Sequence, residues 1–80
     1  MTVWVVIQET YYNEIILIGV YKDLQKAYYE SYNSLTYENG YLMGKIVSQG
    51  WDNTQTTLTV ELVNDDDERM ILTIEKTEPI

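Results

Sequence analysis

The chain has no cysteine, no histidine and no phenylalanine, and only one proline among its 80 residues. Without cysteine there is no disulfide, no thiolate nucleophile and no cysteine-ligated zinc or iron–sulfur site. Without histidine the usual proton shuttle near neutral pH and the imidazole metal ligand are missing too. Bases are scarce: five Lys and Arg stand against thirteen Asp and Glu, a net charge of −8. From Ile46 to Glu68 there are six acids and no base. That balance repels phosphate backbones and anionic lipid, so direct nucleic-acid or membrane binding is disfavoured and a basic partner is favoured. Acidity also keeps small domains soluble without any partner. Long hydrophobic runs are absent as well. The opening "MTVWVVIQET" has no basic n-region, and its apolar run from Val3 to Ile7 falls far short of the ~20 residues of a membrane span. A soluble cytoplasmic protein is the expectation.

What is present reads as one small α+β domain over residues 1–80, with a single modest core. "TVWVVIQ" (2–8) and "EIILIGVY" (14–21) are rich in β-branched and aromatic residues, with polar residues between them, and so predict a hairpin. Both alternating sets are apolar, which predicts cover on both faces, one cover being a helix. Asp23 suits an N-cap, and Leu24, Ala27, Tyr28, Ser31, Tyr32 and Leu35 follow at amphipathic spacing. Asn39-Gly40 supplies a left-handed stop, giving a helix over 23–38. A strand is expected over about 44–51, after which Asp52-Asn53-Thr54 turns the chain into "TTLTVELV" (56–63), followed by "RMILTIEK" (69–76). If Leu62 sits opposite Met70, then Val60 opposes Leu72 and Leu58 opposes Ile74, placing all six on one face. The same register pairs Thr59 with Thr73, lets Glu61 reach Arg69 or Lys76, and leaves Asn64 to Glu68 as the hairpin loop. The order is then β-β-α-β-β-β, an antiparallel sheet with the helix on one face. A partly exposed apolar face on the first hairpin makes a homodimer one candidate.

The loop "NDDDER" invites a calcium reading. Asn64, Asp66, Glu68 and Glu75 fall at positions 1, 3, 5 and 12 of an EF-hand-like loop. Position 6 is Arg69 where glycine is needed, and the flanks alternate with strand period, so no metal site is expected. Paired carboxylates on an exposed turn lack the pocket that separates an acid from a base. Ser31, Ser34 and Ser48 have no histidine to activate them, and Lys45 alone is a weak case for an activated amine. Gly40, Gly44 and Gly50 form no phosphate-cradling motif. Neither an enzyme nor a cofactor is expected.

All eight tyrosines lie between Tyr11 and Tyr41. Tyr21, Tyr28 and Tyr32 are expected in or at the edge of the core. Tyr11, Tyr12, Tyr29, Tyr37 and Tyr41 suit a protein-binding surface, because a nucleic-acid platform would interleave its aromatics with Lys or Arg. Four adjacent carboxylates span at most about 10 to 14 Å of extended chain, against one phosphate per ~3.4 Å along a DNA strand. The tip therefore matches the charge density of a short piece of nucleic-acid backbone.

The stretch from Glu14 to Tyr32, with Gly19-Val20-Tyr21 and Gln25-Lys26-Ala27, resembles small uncharacterised bacterial and phage proteins. In these, a hairpin ends in a Gly-Val-Tyr-like strand followed by a capped helix. Asp23 stands where serine is more usual, and the C-terminal hairpin has no counterpart in the pattern. The resemblance implies the β-β-α start of the fold and no activity. By analogy of size, charge and missing chemistry, the expected function is that of a phage-type inhibitor of the anti-CRISPR or nucleic-acid-mimic class. It would occlude a basic nucleic-acid-binding surface of a host protein such as a CRISPR effector or nuclease. Asp65, Asp66, Asp67 and Glu68 would make the electrostatic contact, supported by Glu61 and Asp52 and anchored by Tyr11, Tyr12 and Tyr37. The alternative is a homo-oligomeric structural or accessory protein assembling through an apolar sheet face.

Overall fold

The computed structural model describes residues 1–78. In chain order they form β1 (Val3–Glu9), β2 (Ile15–Tyr21), α1 (Leu24–Ser34), β3 (Lys45–Trp51), β4 (Thr57–Val63) and β5 (Arg69–Thr77). This is the β-β-α-β-β-β order expected. The strands make one antiparallel sheet ordered β2-β1-β5-β4-β3. β1–β2, β3–β4 and β4–β5 pair as hairpins, and the first and last strands join them at the centre of the open sheet through Val6 opposite Ile74 and Gln8 opposite Leu72.

The β4–β5 register is the one the alternation demands: Leu62 opposite Met70, Val60 opposite Leu72, Leu58 opposite Ile74 and Thr59 opposite Thr73. A slip of one residue would turn every one of those apolar side chains to the other face. Leu62, Leu72, Ile74 and Val6 are fully buried and, with Ala27 and Leu35 from the helical segment, form the centre of the core.

The helix starts as expected, with Asp23 accepting the backbone N–H of Gln25 at 3.0 Å, but it ends at Ser34 rather than near residue 38. Hydroxyls compete for its last carbonyls: Ser34 Oγ donates to Ser31 and Thr36 Oγ1 to Asn33, which favours release of the chain into turns. Asn39-Gly40 is then part of a separate turn and does not stop the helix.

α1 approaches β2, β1 and β5, and none of its Cα atoms comes within 8 Å of β4 or β3. Tyr28 and Tyr32, expected in or at the edge of the core, are therefore exposed. They project toward the uncovered β3 side, where Tyr28 packs edge-on against Trp51 and Trp51 against Trp4. The expectation of cover on both faces of the first hairpin also fails. One helix shields Val6, while Ile15, Leu17 and Val20 lie exposed, because among the described residues no second layer exists to meet them.

Candidate functional acid-and-tyrosine end

Strand directions decide which loops meet. β1 and β4 run toward one end of the sheet and their partners run back, so the turns after β1 and after β4 share that end. α1 runs the same way, bringing Thr36 to Leu42 there too, with Thr36 and Leu42 joined by an isolated bridge.

Three five-residue turns at this end share one geometry. In Thr10–Glu14, Tyr37–Tyr41 and Asn64–Glu68 the first N–H donates to the fifth carbonyl, and the fourth N–H donates to the first carbonyl. The fourth residue takes a positive φ each time: 62° at Asn13, 85° at Gly40 and 60° at Asp67. This is a type I turn closed by a left-handed residue, and Asn, Gly and Asp are the types that accept that conformation at least cost. The first-position side chain braces two of the three. Thr10 Oγ1 accepts from the N–H groups of Tyr12 and Glu14, and Asn64 Oδ1 accepts from those of Asp66 and Glu68.

Together these turns present Glu14, Glu38, Asp65, Asp66, Asp67 and Glu68 with no base inside any of them. Exposed Tyr12, Tyr37 and Tyr41 stand among the acids. An open cleft of about 530 Å³ between the turns is bounded by Tyr37, Met43, Lys45, Asn64, Asp65 and Asp66. Tyr41 is exposed as expected, whereas Glu14 and Glu38 escaped the sequence reading because only the strand order brings them here. Their shared signal is a residue tolerant of positive φ in the fourth position of each turn.

Tyr11 is brought to the same end but plays another part. It is half-buried against the core, and its hydroxyl donates to the Met43 carbonyl at 3.1 Å. Burial first, then Tyr37 and Glu68 nearby, push its pKa above the ordinary phenol value. A Cβ on Gly44 would run into that hydroxyl and the Val63 carbonyl. Tyr11 is thus a strut beneath the site, not the exposed anchor expected.

Asp52 and Glu61 are not part of the cluster. Asp52 lies at the opposite end, in the β3–β4 turn, where its carboxylate accepts from the N–H groups of Thr56 at 2.8 Å and Thr57 at 3.2 Å. Its pKa is lowered, with the Thr56 N–H as the largest cause. Glu61 lies on the open face of the sheet and pairs with Arg69 at 2.5 Å.

Among the described residues no group of three or more metal-ligating side chains is gathered in a way that could hold a metal ion. No helix among them is long and apolar enough to cross a membrane. Comparison with family models, curated proteins and solved structures finds no match for this chain. Carboxylates and phenols at this end can form charge-assisted hydrogen bonds to Lys and Arg and stack on guanidinium groups.

Proposed function

We propose that the chain is a non-enzymatic binding protein whose acid-and-tyrosine end docks on a basic, nucleic-acid-binding surface of another protein and occludes it. The observation that supports this most is the convergence of three turns, distant in sequence, which puts six carboxylates and three exposed tyrosines on one end. The carboxylates steer encounter with a positive groove and set orientation. The tyrosines provide the large, amphipathic contacts that carry interface energy. A host nuclease or CRISPR effector is the kind of partner whose groove fits such an end.

The test is a charge reversal. Asp65→Lys, Asp66→Lys and Asp67→Asn together change the net charge from −8 by +5 to −3, at residues exposed on a turn, with asparagine keeping the positive φ of residue 67. Wild type and triple variant are used to capture proteins from host lysate at about 0.1 M and about 1 M salt, where the Debye length falls from ~10 to ~3 Å. The expected capture is a basic nucleic-acid-binding protein, held at low salt, displaced by added nucleic acid and lost with the triple variant. Capture that is indifferent to both the substitutions and the salt refutes the reading.

A further inference from the structure

The open face of the sheet is unpartnered and unevenly divided. Its β2–β1–β5 part carries Ile15, Leu17, Val20, Val5, Ile7 and Ile71, with Glu9, Thr73 and Glu75 set among them, and Ile15, Leu17 and Val20 are 76%, 62% and 54% exposed. Its β4–β3 part is mainly polar, with Thr59, Glu61, Ser48 and Lys45, and with Val63 apolar at its end. On the opposite face α1 covers the core, so the two sides of one sheet differ in having or lacking a layer.

We propose that two copies of this chain pair face to face through this open side, about a two-fold axis lying in the interface and perpendicular to the strands. Five strands ~4.8 Å apart and seven residues of ~3.3 Å give a face on the order of 550 Å². Pairing two of them removes about 1,100 Å², just past the ~1,000 Å² a specific interface needs. Using only the apolar three strands would fall short, so the whole face must overlap, and self-association is expected in the micromolar range.

Two observations fix the axis. A two-fold perpendicular to the strands lays each strand antiparallel over its own counterpart, so the apolar part meets the apolar part and Leu17 lies close to its own symmetry mate. A two-fold along the strands would instead lay β2 over β3, pressing Leu17 against the polar half near Gly50. The perpendicular axis also sends the two acid ends to opposite poles, whereas the other would place them side by side, six carboxylates against six. With −8 on each chain, the separation is the arrangement of lower repulsion.

Edge pairing of β2 with a second β2 is the competing use of the same residues. It is disfavoured by a bulge: Val6 opposes Gly19 and Ile7 opposes Leu17, leaving Ile18 as an extra residue that breaks the edge ladder and turns into the core. The resulting dimer has four layers, helix, sheet, sheet and helix, and offers an acid end at each pole, a bivalent ligand.

Sedimentation equilibrium of the full chain across the micromolar range tests this. Wild type is expected to approach twice the monomer mass, and Leu17→Lys and Ile15→Lys to associate at least tenfold more weakly, with a melting temperature unchanged when measured below the dissociation constant. The triple variant Asp65→Lys, Asp66→Lys and Asp67→Asn should leave association intact, which separates this inference from the proposed partner. Because the chain has no cysteine, orientation can be read by crosslinking. Leu17→Cys should form a disulfide with itself, and an equal mixture of Leu17→Cys with Gly50→Cys should give no mixed species. A monomer at every concentration, a dimer indifferent to Leu17→Lys, or a dominant Leu17→Cys with Gly50→Cys crosslink would each overturn the proposal.

Discussion

Replacing Tyr11 with phenylalanine removes one hydroxyl and tests how the acid end is held. The ring packs against the core and stays, so the change isolates the hydrogen bond from Tyr11 Oη to the Met43 carbonyl at 3.1 Å. That bond ties the β1–β2 turn to the entry of β3, across the end of the sheet. A net loss of about 1 kcal/mol is expected for such a bond. For 80 residues at about 2.1 cal/mol/K each, the unfolding entropy is ~170 cal/mol/K, so the melting temperature should fall by about 6 °C. Gly44→Ala attacks the same joint from the other side, because its Cβ would meet the Tyr11 hydroxyl and the Val63 carbonyl. With the hydroxyl already gone, part of that clash goes too, and the double variant should cost less than the sum of the singles.

The pH dependence gives a second readout for the same residue. Burial, then Tyr37 and Glu68, raise the folded pKa of Tyr11 above its ordinary value. The folded state holds the proton more tightly, so this contribution is complete below pH ~10 and is lost as pH rises through the folded value. The gap in stability between wild type and Tyr11→Phe should therefore narrow above pH ~10 in thermal melts followed by circular dichroism. An unshifted melt for Tyr11→Phe, together with full additivity with Gly44→Ala, would refute the role of strut.

Asp52→Ala should lower the melting temperature at pH 7, and the difference should begin to shrink as pH falls below ~4. Its folded pKa is depressed, chiefly by the Thr56 N–H, so its contribution exists above the unfolded value near 3.9 and is lost as pH falls through the folded one. Leu62→Ala, at a fully buried position in the core, should cost about 2–5 kcal/mol in urea unfolding. Arg69→Gln breaks the pair with Glu61, but the Arg69 side chain is 67% exposed. A loss below about 0.5 kcal/mol that shrinks further with added salt is expected there.

The second hairpin was legible because its alternation is strict: Leu58, Val60 and Leu62 against Met70, Leu72 and Ile74 allow one register that buries all six. The first hairpin was legible as strands but not as to which side faces in, since both alternating sets are apolar and period two carries no sign there. Strand order was not legible at all. The β1–β5 pairing joins Val3 to Thr77 across nearly the whole chain, and no local pattern encodes it. Tyr28 and Tyr32 have core periodicity yet lie exposed, because periodicity defines a face of α1 without saying how far the sheet extends beneath it. Asp65 to Glu68 could be read as a tip from register alone. The company of Glu14, Glu38, Tyr12 and Tyr41 follows from strand order and turn geometry, so it waited for the fold.

How the two acidic turns are organised bears on what their carboxylates are for. In the β3–β4 turn the carboxylate of Asp52 is the organiser, taken up by Thr54, Thr56 and Thr57. At the β4–β5 tip the organiser is a neutral amide: Asn64 Oδ1 accepts two backbone N–H groups and Asn64 Nδ2 donates to Glu68 at 3.0 Å. The side chains of Asp65, Asp66 and Asp67 have no hydrogen-bond or ion-pair role among the described residues, and they repel one another. Folding of this turn asks for a residue tolerant of positive φ at Asp67, which glycine or asparagine would supply without charge, and asks nothing of positions 65 and 66. The three carboxylates are therefore a cost to the isolated chain, smallest when a positive surface is present to receive them.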